Sequence, residues 1–478
     1  MAESLKKQAI TGVGWSAVER FSVQGVQFIL QIILARLLLP SDYGIIAMMA
    51  IFLQVAAVFV ESGFASALIQ KKDCKEEDYS TVFYYNLAVS VGLYIILFFI
   101  APLVARFYQI DLITKVMRVA SLVVIFNALS IVQRVKLEKQ INFRSISIVS
   151  FSSATLSGII GVLMAYWGFG VWALCFQSLL NSLFQILAYY IFVRWKPALI
   201  FSKQSFKELF TFGSKMLFAG IISVIYGNLY TIVIGKRFNS TDLGYYSRAE
   251  HFAGFPSSNV GSLISRVTFP VLSKIQDDDD KLREAYRKII RLSSFVIFPL
   301  MSMLSALASP LVISLLGEKW SSAAPLLQIL CMALLWDHLS LLNLNLLYVK
   351  GKSNLVLRLE IIKKSIAVVI LFASIPFGLL VMCWGRVLYG IISFYLNTFY
   401  TKRLIGISFW NQVVDFLPFL LISLLTGVLS YFAATIAGGA HWVKLIIGLI
   451  TGSLVYVAFS VTLFRNMIQE VVGIIRKK

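Results

Sequence analysis

Leu243–Pro270 reads LGYYSRAEHFAGFPSSNVGSLISRVTFP, and the fold turns on how this stretch is understood. It is long enough to cross a bilayer as an α-helix. Yet it carries Arg248, Glu250, His251 and Arg266, which a helix bathed in lipid would not tolerate. At about 100° per residue, Arg248, His251, Asn259, Ser262 and Arg266 fall on one side within roughly 100°, while Glu250 points elsewhere. From Arg248 to Arg266 the rise is about 27 Å, close to the hydrocarbon thickness. The stretch therefore reads as a spanning helix with a polar stripe. Such a stripe must line a water-filled cavity or pack against other protein.

The rest of the chain supplies the surroundings. It has 478 residues, 59% of them hydrophobic and 14% charged, a balance outside the range of soluble globular proteins. Its apolar runs are too long and continuous for barrel strands, so the fold class is an all-α polytopic membrane protein. About fourteen transmembrane helices are predicted, near 12–35, 43–69, 81–103, 113–133, 146–167, 171–193, 212–235, 243–270, 291–315, 323–348, 355–377, 380–401, 413–436 and 442–464. The longest connection expected is about 271–290, too short for a soluble catalytic domain. The opening apolar run lacks a small-residue cleavage site and reads as a retained first span.

The net charge of +20 would suggest nucleic acid in a soluble protein. Here the bases sit in short loops between apolar runs, so no nucleic-acid partner is expected and the membrane lipids take that place. With the N-terminus in the cytoplasm, Lys and Arg favour the cytoplasmic loops over the outer ones by more than threefold, and both termini are then cytoplasmic. The four cysteines are scattered and show no metal-ligand or disulfide spacing.

LARLLLPSDYG at 34–44 recurs as IGKRFNSTDLG at 234–244, a spacing of 200. Basic, acidic and glycine residues match at Arg36 and Lys236, Asp42 and Asp242, and Gly44 and Gly244. An even number of spans separates the copies, which predicts a parallel repeat. The simpler reading of the motif is a tight outer hairpin with an Asp capping the next helix.

Polar positions recur in matching places. In the first span Ser16, Arg20, Gln24, Gln27 and Gln31 form one stripe, and the second adds Gln54 and Glu61. The seventh adds Lys215, Tyr226, Asn228 and Tyr230. Candidate cavity residues are thus Arg20, Gln24, Gln27, Glu61, Lys215, Arg248, His251, Asn259 and Arg266. Arginine stays protonated and grips phosphate with a planar fork, so such a cavity suits an anionic substrate, above all a phosphate or diphosphate. The alternative is an internal ion pair, such as Arg20 or Arg248 with Glu61, and Lys215 is placed to snorkel. Trp15, Tyr245, Tyr246 and Phe255 lie near the stripes, either to stack on sugar rings or as ordinary core.

Other features read more plainly. Asp277 to Asp280 mark a solvated turn and helix start rather than a metal site. Glu360 and Lys364 are spaced to pair. Asp337 and His338, inside a span, are either a buried hydrogen-bonded pair or a proton-coupling site. Gly448 and Gly452 suit helix packing. Without a Walker loop, ATP hydrolysis is not expected, nor is any cofactor.

RVTFPVLSKIQDDDDKLREAYRKIIR from Arg266, LLGEKWSSAAPLLQILC from Leu315 and LARLLLPSDYG together resemble the Wzx-type polysaccharide exporters, near their colanic-acid branch, over roughly residues 5–405. That family shares a superfamily with lipid II flippases and multidrug extruders. The resemblance implies two pseudo-symmetric six-helix lobes around a central cationic cavity, followed by two C-terminal helices. The corresponding divisions are 1–200, 201–405 and 406–478. It also implies a non-enzymatic flippase in a bacterial inner membrane. The implied substrate is an undecaprenyl-diphosphate-linked oligosaccharide for surface polysaccharide, with a polymerase and glycosyltransferases as partners. A cation-coupled multidrug exporter is the first rival, but a positive cavity repels its usual substrates. A polysaccharide polymerase or ligase is the second, and it needs a larger outer loop.

Overall fold

The structure, a computed structural model, describes residues 15, 22–61, 64–71 and 73–465, without the side chains of residues 61, 211–213, 215, 263 and 267. Arg20 and the side chains of Glu61 and Lys215 lie outside these described residues. Every described element is a helix, as the long apolar runs require. The chain forms two compact units, Met1–Gly244 and Tyr245–Lys478.

In the first unit the helices are α1 (Ser22–Leu37), α2 (Pro40–Glu61), α3 (Phe64–Gln70), α4 (Glu76–Tyr108), α5 (Leu112–Ala120), α6 (Leu122–Lys139), α7 (Phe143–Tyr166), α8 (Val171–Val193), α9 (Lys203–Gly227) and α10 (Leu229–Arg237). Helix α8 packs on α6 and α7, and α4 on α5 and α6. Helix α9 lies on α2, α3 and α4. The seventh expected span is two helices, α9 and α10, meeting at Asn228 with a bend of 42°. The Asn228 amide there donates to its own Val224 carbonyl at 2.8 Å and to Gln54 on α2 at 2.9 Å.

A polar knot holds one end of this unit. Glu76, at the start of α4, accepts from Lys136 at 2.8 Å and from the Trp195 indole at 2.6 Å. Lys136 also lies over the Trp195 ring, 4.6 Å from its centroid. Lys71 bridges Asp78 and Glu208, each at 3.1 Å. Burial pulls the Lys71 ammonium down, but hydrogen bonds to the two carboxylates outweigh it and the net shift is upward. Several loop bases read from the sequence as topogenic charge thus also tie helix ends together.

Helix α11 (Ser240–Lys274) begins in the first unit and continues into the second. The second unit adds α12 (Asp279–Ala306), α13 (Ala308–Leu316), α14 (Ala323–Leu334), α15 (Asp337–Val349), α16 (Ser353–Ser374), α17 (Leu379–Ile405), α18 (Phe409–Ile436) and α19 (His441–Leu463). Its strongest pairings are α12 with α18, α18 with α19, and α17 with α14 and α16. Gly448 and Gly452 let α19 approach closely: a Cβ on Gly452 would stand 2.2 Å from the Ser430 hydroxyl of α18. This is the packing role their spacing suggested.

A helix lies at each of the fourteen expected positions, but fewer pass as spans on length and apolarity. Among the described residues ten do, or eleven if α9 and α10 count as one span. Helix α1 is short within the described residues, α16 carries Arg358, Glu360, Lys363 and Lys364, and α11 carries the polar stripe. The expected 271–290 connection shrinks to 275–278, because α11 and α12 continue past their apolar parts. Asp278 caps α12 by accepting from the Lys281 amide at 3.1 Å, and its carboxyl is held below the usual range by the Lys281 side chain. Asp280 pairs with Arg283 at 3.1 Å and Asp279 with Lys350 at 2.7 Å. Glu360 pairs at 2.5 Å with Lys363, the buried neighbour of the expected Lys364.

Candidate functional site

Helix α11 is one continuous element of 35 residues despite Pro256 and Pro270. Tyr246, Ala249, Ala253, Thr268 and Leu272 are each no more than 1% exposed. At 100° per residue these buried positions centre about half a turn away from Arg248, His251, Asn259, Ser262 and Arg266. One face of the helix is therefore packed within the protein, and the stripe occupies the opposite face. His251 and Arg266 are exposed, whereas Arg248, Asn259 and Ser262 are half-buried. The Asn259 amide donates back to the Phe255 carbonyl at 2.8 Å, and Ser262 donates to the Asn259 carbonyl at 2.9 Å.

Glu250 does point elsewhere. It pairs at 2.5 Å with Arg386 of α17, which also donates to the Tyr246 hydroxyl. That pairing removes the one carboxylate of α11 beyond its first turn from the charge balance. The stripe itself carries Arg248 and Arg266 and no acidic residue. Arg386 was not flagged by the sequence reading. The signal was present, since an arginine in the middle of an apolar span demands a partner.

A pocket of about 490 Å³ opens beside the stripe within the second unit, lined by Ser257, Ser258, Ser262 and Ser265 of α11 and by Asp337 and His338. The last two are not a pair. His338 is 2% exposed and its Nε2 lies 3.2 Å from the Ser294 hydroxyl, with the Phe298 ring edge-on at 5.2 Å. Asp337 instead faces the serine-lined pocket. Of the aromatic candidates, Tyr246 is fully buried and Tyr245 packs against Trp320 at 6.0 Å, so both belong to the core. Phe255 is 41% exposed.

In the first unit, Gln24 is half-buried and Gln27 exposed on α1. Gln54 is committed to Asn228, as described above. The repeat motif is not a simple pair of hairpins. Helix α2 starts at Pro40 and α11 at Ser240, and the two starts cross. A Cβ on Gly44 would stand 1.7 Å from the Ser240 carbonyl oxygen, and one on Gly244 would stand 1.9 Å from that of Pro40. The expected aspartate contact at the helix start is present in the first copy only, and in the second Asn239 takes that role in place of Asp242. Asp42 accepts from the Leu39 amide at 3.0 Å, while in the second copy Asn239 accepts from the Asp242 amide at 2.7 Å.

Comparison with known proteins places this architecture. Residues 33–325 match the family described as Polysaccharide biosynthesis protein. The chain belongs to that family. Within it, the chain is similar to Lipopolysaccharide biosynthesis protein WzxC of Escherichia coli, at 26% identity over 90% of this chain and 88% of the relative. It is also similar to Teichuronic acid biosynthesis protein TuaB of Bacillus subtilis, at 23% identity over 90% of this chain and 89% of the relative. Succinoglycan biosynthesis transport protein ExoT of Rhizobium meliloti is 29% identical over 70% of this chain and 68% of the relative. Among solved structures, the lipid II flippase MurJ in an inward closed conformation shares the fold of this polysaccharide biosynthesis protein. The TM-score is 0.75 at 17% identity, over 95% of this chain and 100% of that one.

Proposed function

We propose that this membrane protein is a flippase that carries a lipid-linked oligosaccharide across a bacterial inner membrane for surface polysaccharide synthesis. The observation that carries the reading is the polar stripe of α11, which sets Arg248 and Arg266 on the face opposite its packed side. A diphosphate-sugar headgroup cannot cross hydrocarbon unaided, because burying its charge costs too much. Arg248 and Arg266 would replace part of its hydration with charge-assisted hydrogen bonds. Asn259 and His251 would extend this polar face while the polyprenyl tail stays in lipid, and Arg20, Gln24, Gln27, Glu61 and Lys215 are the further substrate contacts proposed. Family membership supports this reading, as do the names of the relatives, one of which is a transport protein. The act is translocation, with no bond made or broken, and the excess of Lys and Arg in one set of loops supports cytoplasmic termini. Polymerase and glycosyltransferases are the partners expected to consume and supply the substrate.

The test is a strain lacking the protein, complemented with wild type, Arg248→Ala or Arg266→Ala. Wild type should restore surface polysaccharide. Each variant should lose most of it at unchanged protein level, with lipid-linked repeat units accumulating on the inner leaflet. Full export by both variants would overturn the assignment.

A further inference from the structure

A second cationic feature lies apart from the α11 stripe. The ends of α12, α18 and α19 enclose an open basin of about 1000 Å³. Its cations are Arg283, Arg287, Lys288, Arg291 and Arg465, set against the carboxylates of Asp280, Glu284 and Asp415. Asp280 is already paired with Arg283. Asp415 is fully buried beneath Arg287 and Arg291, whose side chains are 36% and 47% exposed. It accepts from Nε and Nη2 of Arg287 at 2.7 and 2.9 Å, and from the same two nitrogens of Arg291 at 2.8 and 2.6 Å. One carboxylate thus anchors two guanidinium groups from below. Each group has five N–H donors in its fork, so the Nη1 edges remain to line the basin.

The floor is apolar. Phe419 packs against Phe464 with the rings tilted by 34° and their centroids 4.4 Å apart, and Phe295 meets Phe419 edge-on at 6.1 Å. Depth follows from the sequence of α12: Arg291 is its last charged residue, and 292–306 carries none. The cations therefore stand where an apolar span gives way to polar residues, which is the level of lipid headgroups. A basic rim over an aromatic floor at that depth matches an amphiphile with a negative head.

We infer that this basin binds the phosphate of an anionic membrane lipid, with the acyl chains running down over Phe419 and Phe464. The site is separate from the α11 stripe and does not depend on what is transported.

The experiment uses the full-length protein in detergent, with thermal unfolding and native mass spectrometry as readouts. It is titrated in turn with dioleoyl phosphatidylglycerol, dioleoyl phosphatidylcholine and inorganic phosphate. Phosphatidylglycerol should bind and raise the unfolding midpoint, and the other two should do neither at matched concentration. The double variant Lys288→Gln/Arg465→Gln should weaken phosphatidylglycerol binding at least tenfold. Val414→Asp, on a wall position that is 65% exposed, should do the same without moving the lipid-free midpoint. Equal binding of the two lipids, or undiminished binding by both variants, would overturn the inference. So would saturation of the site by inorganic phosphate as effectively as by phosphatidylglycerol.

Discussion

Gly44 lies against the main chain of Ser240 so closely that a Cβ there would sit 1.7 Å from its carbonyl oxygen. Gly244 stands in the reciprocal relation to Pro40, the glycine 200 positions later and its neighbour 200 positions earlier. Main chain cannot retreat as a side chain can, so Gly44→Ala or Gly244→Ala must push the starts of α2 and α11 apart. Each should cost about 1–3 kcal/mol or more, seen as a lower unfolding midpoint and reduced transport. Gly92→Ala is the control: nothing lies within 4 Å of its Cβ position in α4, and removing a helical glycine should stabilise by about 0.5–1 kcal/mol. Equal effects at Gly44 and Gly92 would refute the close-approach account.

Arg248 and Lys differ in more than length. If a planar fork on phosphate is what α11 offers, Arg248→Lys should retain charge but lose bidentate geometry. Export should fall severalfold rather than vanish, and Arg248→Ala should fall further. Identical activity for the Lys and Ala variants would show that charge at this position is irrelevant.

The Glu250–Arg386 pair anchors α11 to α17 and is only partly shielded, with side chains 39% and 21% exposed. Glu250→Ala should strand the guanidinium and destabilise by about 1–3 kcal/mol, below the range for fully buried pairs. Combining Glu250→Leu with Arg386→Met should recover most of that loss. A double variant no better than Glu250→Ala would assign the effect to packing instead. Thermal midpoints of the purified proteins decide it.

Asp415→Asn removes the buried carboxylate that Arg287 and Arg291 share. Because both are partly hydrated, the expected cost is again about 1–3 kcal/mol. Adding Arg291→Gln should restore part of the stability by removing the repulsion. Additive losses in the double variant would count against a shared carboxylate.

The positions of the helices were legible because apolar runs and loop charge are local properties of a chain. The stripe on α11 was legible for the same reason: helical periodicity fixes which residues share a face. What escaped was contact between distant segments. The role of Asp415 is hidden in the sequence because its two arginines lie 128 and 124 residues away. The matching glycines at 44 and 244 were visible as a repeat, yet their reason is a crossing of two main chains that no spacing encodes. The count of crossings stayed open for a different cause. A helix with a wet face, such as α11, fails the apolarity test that its dry neighbours pass.

The interruption at Asn228 has a mechanical consequence. Where α9 gives way to α10, two side-chain amides, those of Asn228 and Gln54, tie the joint to α2. Directional bonds of that kind break and re-form with small rotations, and water competes for them. Bending of this segment should therefore concentrate at one articulated point, leaving the rods on either side stiff.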